Sequence, residues 1–111
     1  MNTGDFVFFS QQGQQEVQAG VITSIIDDGQ KFRVHEHRQA PRLKKRFTPL
    51  YLNSNNNRHE VNCKVKPDPN VHTPTMIAVS NADVLGCGSI HDYMINGSLF
   101  DTLRSMGVLG E

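Results

Sequence analysis

The chain is 111 residues long, and its 11 Lys and Arg are balanced by 11 Asp and Glu, so the formal net charge is zero. That length is one domain's worth, enough for a single compact core. The balance weighs against a generic polyanion binder, no apolar run approaches the ~20 residues of a membrane span, and MNTGDFVFFS lacks the basic and long apolar regions of a secretory signal.

Gly4-Asp5 is a turn signal, and the short apolar run Phe6 to Phe9 predicts a first strand. Gln11 to Gln15 is a polar loop around Gly13. Val17 to Ile26 is β-branched and loosely alternating, with Gly20 marking a bulge or a bend. Asp27-Asp28-Gly29 supplies a tight turn into Lys31 to His37. There the alternation is clean: Phe32, Val34 and Glu36 share one face, and Lys31, Arg33, His35 and His37 share the other, which is expected to face outward.

Arg38 to Arg46 breaks the pattern and is expected to be a mobile or excursion loop. Phe47 to Leu52 reads as a strand, with Pro49 favouring an edge or a bulge. Asn53 to Arg58 is a turn cluster, Glu60 to Lys66 alternates as a strand, Lys66 to Asn70 is a second loop, and Thr75 to Val79 is an apolar strand. Beyond Ser80 the pattern changes. Asn81 to Gly86 resembles one helical turn stopped by Gly86, and Ile90 to Ile95 another short turn. Ser98 with Asp101 is a weak capping-box variant ahead of the stripe Leu99, Leu103 and Met106, with Phe100 adjoining and Gly107 as the stop. The fold expected is all-β in the main: one domain over 1–111, with a barrel of five to six short strands over 4–80 and a turn and short helical cap over 81–111.

The order GDFVFF, AGVITSIIDDGQKFRVHEH, FTPLYLN and IAVSNADVLG resembles the SH3-like barrels of chromatin and retroelement proteins, nearest to bromo-adjacent-homology modules and the C-terminal domains of retroelement integrases. The resemblance covers Gly4 to Gly86. It implies an SH3-like barrel that binds histone tails, partner proteins or DNA. The aromatic cage of methyl-lysine readers is not expected, because Tyr51, Tyr93 and six Phe, mostly at core-like positions, are the only aromatics.

Charge is segregated although it sums to zero. Lys31, Arg33, Arg38, Arg42, Lys44, Lys45 and Arg46 crowd one stretch against Glu36 alone, and acids gather at Asp27-Asp28 and at Asp83, Asp92, Asp101 and Glu111. Arg38, Arg42, Lys44, Lys45 and Arg46, with Arg33 beside them, are candidate phosphate donors, and Phe47 and Tyr51 are candidates to stack on an unpaired base. An acidic protein or peptide meeting the same loop, or an exposed strand edge, is the alternative. The bland alternative is a solvated loop whose charges keep the protein soluble or pair with the acidic C-terminal part.

His35 and His37 share a face, and His59 and Cys63 lie on a nearby segment, so these four are the weak candidates for a metal site. Zinc favours close ligand pairs such as C-x-x-C, which the chain lacks, so no metal and no cofactor are expected. Gly86-Cys87-Gly88-Ser89-Ile90-His91 reads as a tight turn rather than a nucleophile or phosphate loop. With no credible pair of carboxylates either, no catalysis is expected. Cys63 and Cys87 are expected to be thiols in a reducing, intracellular compartment, nuclear or cytoplasmic, and whether they approach one another stays open.

Overall fold

The computed structural model describes residues 1–11, 16–40, 42–53, 55, 57–60 and 70–107. The expected loop at 12–15, Pro41, the body of the expected strand at 61–66 with Cys63, and the loop at 66–69 lie outside the described residues.

The fold is mainly β. Strands β1 (Phe6–Phe9), β2 (Gln18–Ile26), β3 (Lys31–Gln39), β4 (Phe47–Leu52), β5 (Arg58–Glu60), β6 (Thr73–Pro74), β7 (Met76–Ser80) and β8 (Val84–Gly88) build one antiparallel sheet. Its order is β5-β4-β3-β2-β1-β8, with β6 beside β4 and β7 beside β3, and the path does not close. A small hairpin, β9 (Ile90–His91) with β10 (Met94–Ile95), and one helix, α1 (Gly97–Ser105), follow.

β1 has a partner on each edge and a core on each face, which is why its four residues are all apolar. Phe6 and Phe8 point into one core with Ala19, Phe47, Ile95, Leu99, Phe100 and Leu103. Phe6, Phe8 and Phe47 meet edge-on or tilted, with ring centroids 4.8 to 5.4 Å apart. Val7 and Phe9 point into the other core with Ile22, Phe32, Val34 and Val79. The chain crosses over this second core from β7 to β8, and Gln11 Nε2 donates to the Ala78 carbonyl (2.8 Å) to tie the two sides.

The Asp27–Gly29 turn forms as expected, with φ of 51°, 55° and 88° at Asp27, Asp28 and Gly29. Gly20 does not mark the bulge, which falls between Ile22 and Ser24. It sits opposite Glu36 where β2 and β3 approach so closely that a Cβ would overlap the His35 carbonyl oxygen and Val34 Cγ1.

Beyond Ser80 the structure differs from expectation. Asn81–Asp83 is one 3-10 turn, but Gly86 does not stop it. Gly86 and Gly88 lie inside β8, and α1 packs on them: a Cβ would come 3.2 Å from Leu103 Cδ2 at Gly86 and 2.7 Å from Leu99 Cδ2 at Gly88. Two glycines that read as a turn are therefore a flat seat for a helix. Ile90 to Ile95 is a hairpin whose turn residues, Asp92 and Tyr93, have φ of 51° and 66°, as a two-residue type I′ turn requires.

The helix begins at Gly97, and its cap lies two residues before Ser98. Asn96 is its N-cap, its side-chain oxygen accepting from the Leu99 amide at 2.7 Å, and Gly107 ends it at φ 73°. Leu99, Phe100 and Leu103 are buried, whereas Met106 is exposed. Asn96→Ala removes this cap and is expected to cost about 1 kcal/mol; a urea melt superimposing on the wild type would contradict the assignment.

Candidate functional site

Between β3 and β4, Leu43 to Arg46 is tied into the fold rather than being a loose excursion. The Ala40 amide donates to the Arg46 carbonyl (2.8 Å), the Arg46 amide to the Leu43 carbonyl (2.8 Å), and Gln39 Nε2 to the Lys44 carbonyl (2.9 Å). The β9–β10 hairpin clamps it from the side: the Ile95 amide donates to the Lys45 carbonyl (2.9 Å), the Phe47 amide to the Tyr93 carbonyl (2.8 Å), and Arg46 bridges to Met94. Four consecutive carbonyls, Leu43 to Arg46, are thus engaged within the chain, and the segment is a fixed turn.

This turn, the hairpin and α1 enclose an open groove of about 440 Å³. Its apolar lining (the floor) is Leu43, Met94 and Phe100, and its charged lining (the rim) is Arg42, Lys44, Lys45 and Arg104. Leu43 is 52% exposed and Met94 37%. Lys45 Nζ stands 5.7 Å from the Phe100 ring centroid, a cation–π contact at the groove's edge. Arg104 sits in the last turn of α1, where a cation suits the helix dipole. Among the described residues, no carboxylate lies within ion-pair distance of these four cations; the ion pair formed there is the exposed Lys31–Asp27 contact at 3.9 Å. Among the described residues, the basic turn is thus not paired with Asp83, Asp92 or Asp101.

The expected site divides. Arg42, Lys44 and Lys45 converge in the groove; Arg33, Arg38 and Arg46 do not line it. Arg33 and Arg38 are exposed on β3, while Arg46 is half-buried, its Nε without a hydrogen-bond partner among the described residues. Phe47 cannot stack on a base, because it is 2% exposed and packed between Phe6 and Phe8. Tyr51 lies four residues along β4, about 13 Å away, beside His35 (centroids 5.1 Å) and His72 (6.5 Å). Arg104, Met94 and Phe100 had no signal in the sequence as site residues: only docking of the C-terminal elements against the turn brings them there.

The histidines form a separate group. His37 is buried, not outward-facing as the alternation implied: the end of β3 is covered on this face by Phe6, whose ring meets it edge-on at 6.0 Å. His37 Nδ1–H donates to the His35 carbonyl (2.8 Å), and His35 Nε2–H donates to the Leu50 carbonyl (2.9 Å). His59 instead pairs with His72, Nε2 to Nδ1 at 2.8 Å. The suggested set His35, His37 and His59 is therefore not brought together, and Cys63 lies outside the described residues. Among the described residues no three His, Cys, Asp or Glu side chains form a metal-binding group. Cys87 is exposed on β8, in a strand rather than the expected turn.

Burial holds both imidazoles of β3 below their ordinary range, His37 down to about 4, against the opposing pull of their backbone hydrogen bonds. An unfolded imidazole takes up its proton near 6.5, whereas folded His37 waits until about 4. Its contribution is therefore present above about pH 6.5 and is lost as the pH falls towards 4, by ~1 kcal/mol at pH 5.5 and roughly 3 kcal/mol at the end of the window. Denaturant melts at about pH 7.5 and 5.5 are expected to show that loss, and His37→Gln, which cannot titrate, to flatten it. An equal pH dependence in the variant would contradict the assignment.

No helix among the described residues is long and apolar enough to cross a membrane. Compared with models of known protein families, with curated proteins and with solved structures, the chain matches none.

Proposed function

We propose that the chain is a non-catalytic interaction module, an SH3-like barrel of the chromatin or mobile-element kind, that holds nucleic acid electrostatically through the basic groove. One observation carries this reading: Arg42, Lys44, Lys45 and Arg104 converge on one concavity with no carboxylate neutralising them among the described residues. Cations so placed neutralise backbone phosphates and release counterions, and the contacts position a strand more than they read its sequence. An acidic peptide would find the same charges but no strand edge to pair with there, since the carbonyls of Leu43 to Arg46 are already engaged.

The test is a fluorescence-anisotropy titration against labelled DNA and RNA at ~50 and ~200 mM salt, where four phosphate contacts predict a loss on the order of a hundredfold. Micromolar binding with that steep salt dependence is expected. Absence of binding at the lower salt would overturn the proposal.

A further inference from the structure

We infer that the basic groove selects single-stranded over double-stranded nucleic acid by taking an unstacked base onto its apolar floor; this rests on the groove's being the nucleic-acid surface. A duplex presents phosphates and sugars outward and keeps its bases stacked inside. Docked on this groove it would satisfy the rim and leave Leu43 and Met94, 52% and 37% exposed, facing charged backbone. A single strand turns both halves to use. Its phosphates meet Lys44 and Lys45, and a base with its two apolar faces fills the space above Leu43, Met94 and the Phe100 edge.

Two further features favour this occupant. The rim carries two guanidinium planes, Arg42 from the turn and Arg104 from α1, and a planar guanidinium stacks on an unpaired base where an aromatic is lacking. The concavity is also pinned. The turn is hydrogen-bonded to itself and to the hairpin, and the hairpin runs through Asn96 directly into capped α1, so the groove does not flatten against a duplex rod. The groove is open, and its volume, about 440 Å³, leaves room for one nucleobase.

The experiment compares a labelled oligo-dT of about twenty nucleotides, longer than typical single-strand sites, with a duplex of equal length, on the full chain at one low salt concentration. Leu43→Ser/Met94→Ser is measured beside the wild type; both side chains are exposed, and a thermal melt checks that the double variant is folded. The wild type is expected to bind the single strand at least about tenfold more tightly, by the contribution of an inserted base, and the folded variant to lose that preference. Equal or tighter duplex binding by the wild type, or a preference that survives in the folded variant, would overturn the inference and leave the electrostatic reading standing. Binding to neither nucleic acid, with or without capture of an acidic peptide carrying apolar residues, would overturn both.

Discussion

Gly20→Ala is expected to lower the melting temperature by on the order of 15 °C, its Cβ meeting the closest contacts of any described glycine. Its new Cβ would overlap the His35 carbonyl oxygen and Val34 Cγ1, one pair in from the Ala19–His37 end of the β2–β3 ladder. Neither neighbour yields cheaply. The His35 carbonyl accepts from His37 Nδ1, and Val34 is wholly buried among Val7, Phe9, Ile22 and Phe32. The strands must part, and overpacking of a core costs about 1–3 kcal/mol, more where backbone has to move. A calorimetric or circular-dichroism melt decides it. A variant melting within a few degrees of the wild type would mean that β2 and β3 are not in this register.

Lys44→Ala/Lys45→Ala/Arg104→Ala is expected to weaken nucleic-acid binding on the order of a hundredfold near 0.1 M salt and to reduce the salt slope by roughly two to three contacts. Stability should fall by no more than about 1 kcal/mol per site, through the lost Lys45–Phe100 contact and the Arg104 charge at the helix end, since among the described residues no ion pair is lost and the backbone bonds of the turn do not involve these side chains. Arg104→Ala alone separates this account from one confined to the basic run. Arg104 comes from the far end of the chain and weakens binding only if α1 forms one wall of the site. A triple variant that binds as tightly as the wild type, with an unchanged slope, would remove the groove from the account.

The strands up to β4 were legible because their signals are local. Phe6 to Phe9 is a bare apolar run, Asp27 to Gly29 a turn that Asp and Gly tolerate at positive φ, and Phe47 to Leu52 a strand found over those same residues. In the C-terminal part the helix was legible from Leu99, Leu103 and the Gly107 stop, but Val84 to Ile95 was not, because its conformations are set by contact. Gly86 and Gly88 belong to a strand since Leu99 and Leu103 lie against them, and Tyr93 adopts φ 66° in a hairpin with no Asn-Gly to announce it. Period-two alternation placed His37 outside, but that reading assumes one dry face, and at the end of β3 Phe6 covers the second. The site was half legible for the same reason. Arg42, Lys44 and Lys45 are neighbours in sequence, whereas the floor and Arg104 arrive with the hairpin and the helix. Stacking on Phe47 failed because the residue beside a basic run can equally be the next strand's core anchor.

The most direct test of the groove as the working surface is a two-dimensional amide NMR titration of the labelled chain with short oligo-dT. The account predicts shifts concentrated at Leu43 to Lys45, Met94 and Phe100 to Arg104, fading with added salt. Shifts centred on the edge of β8 or on the His35, Tyr51 and His72 face, with the groove unmoved, would contradict it.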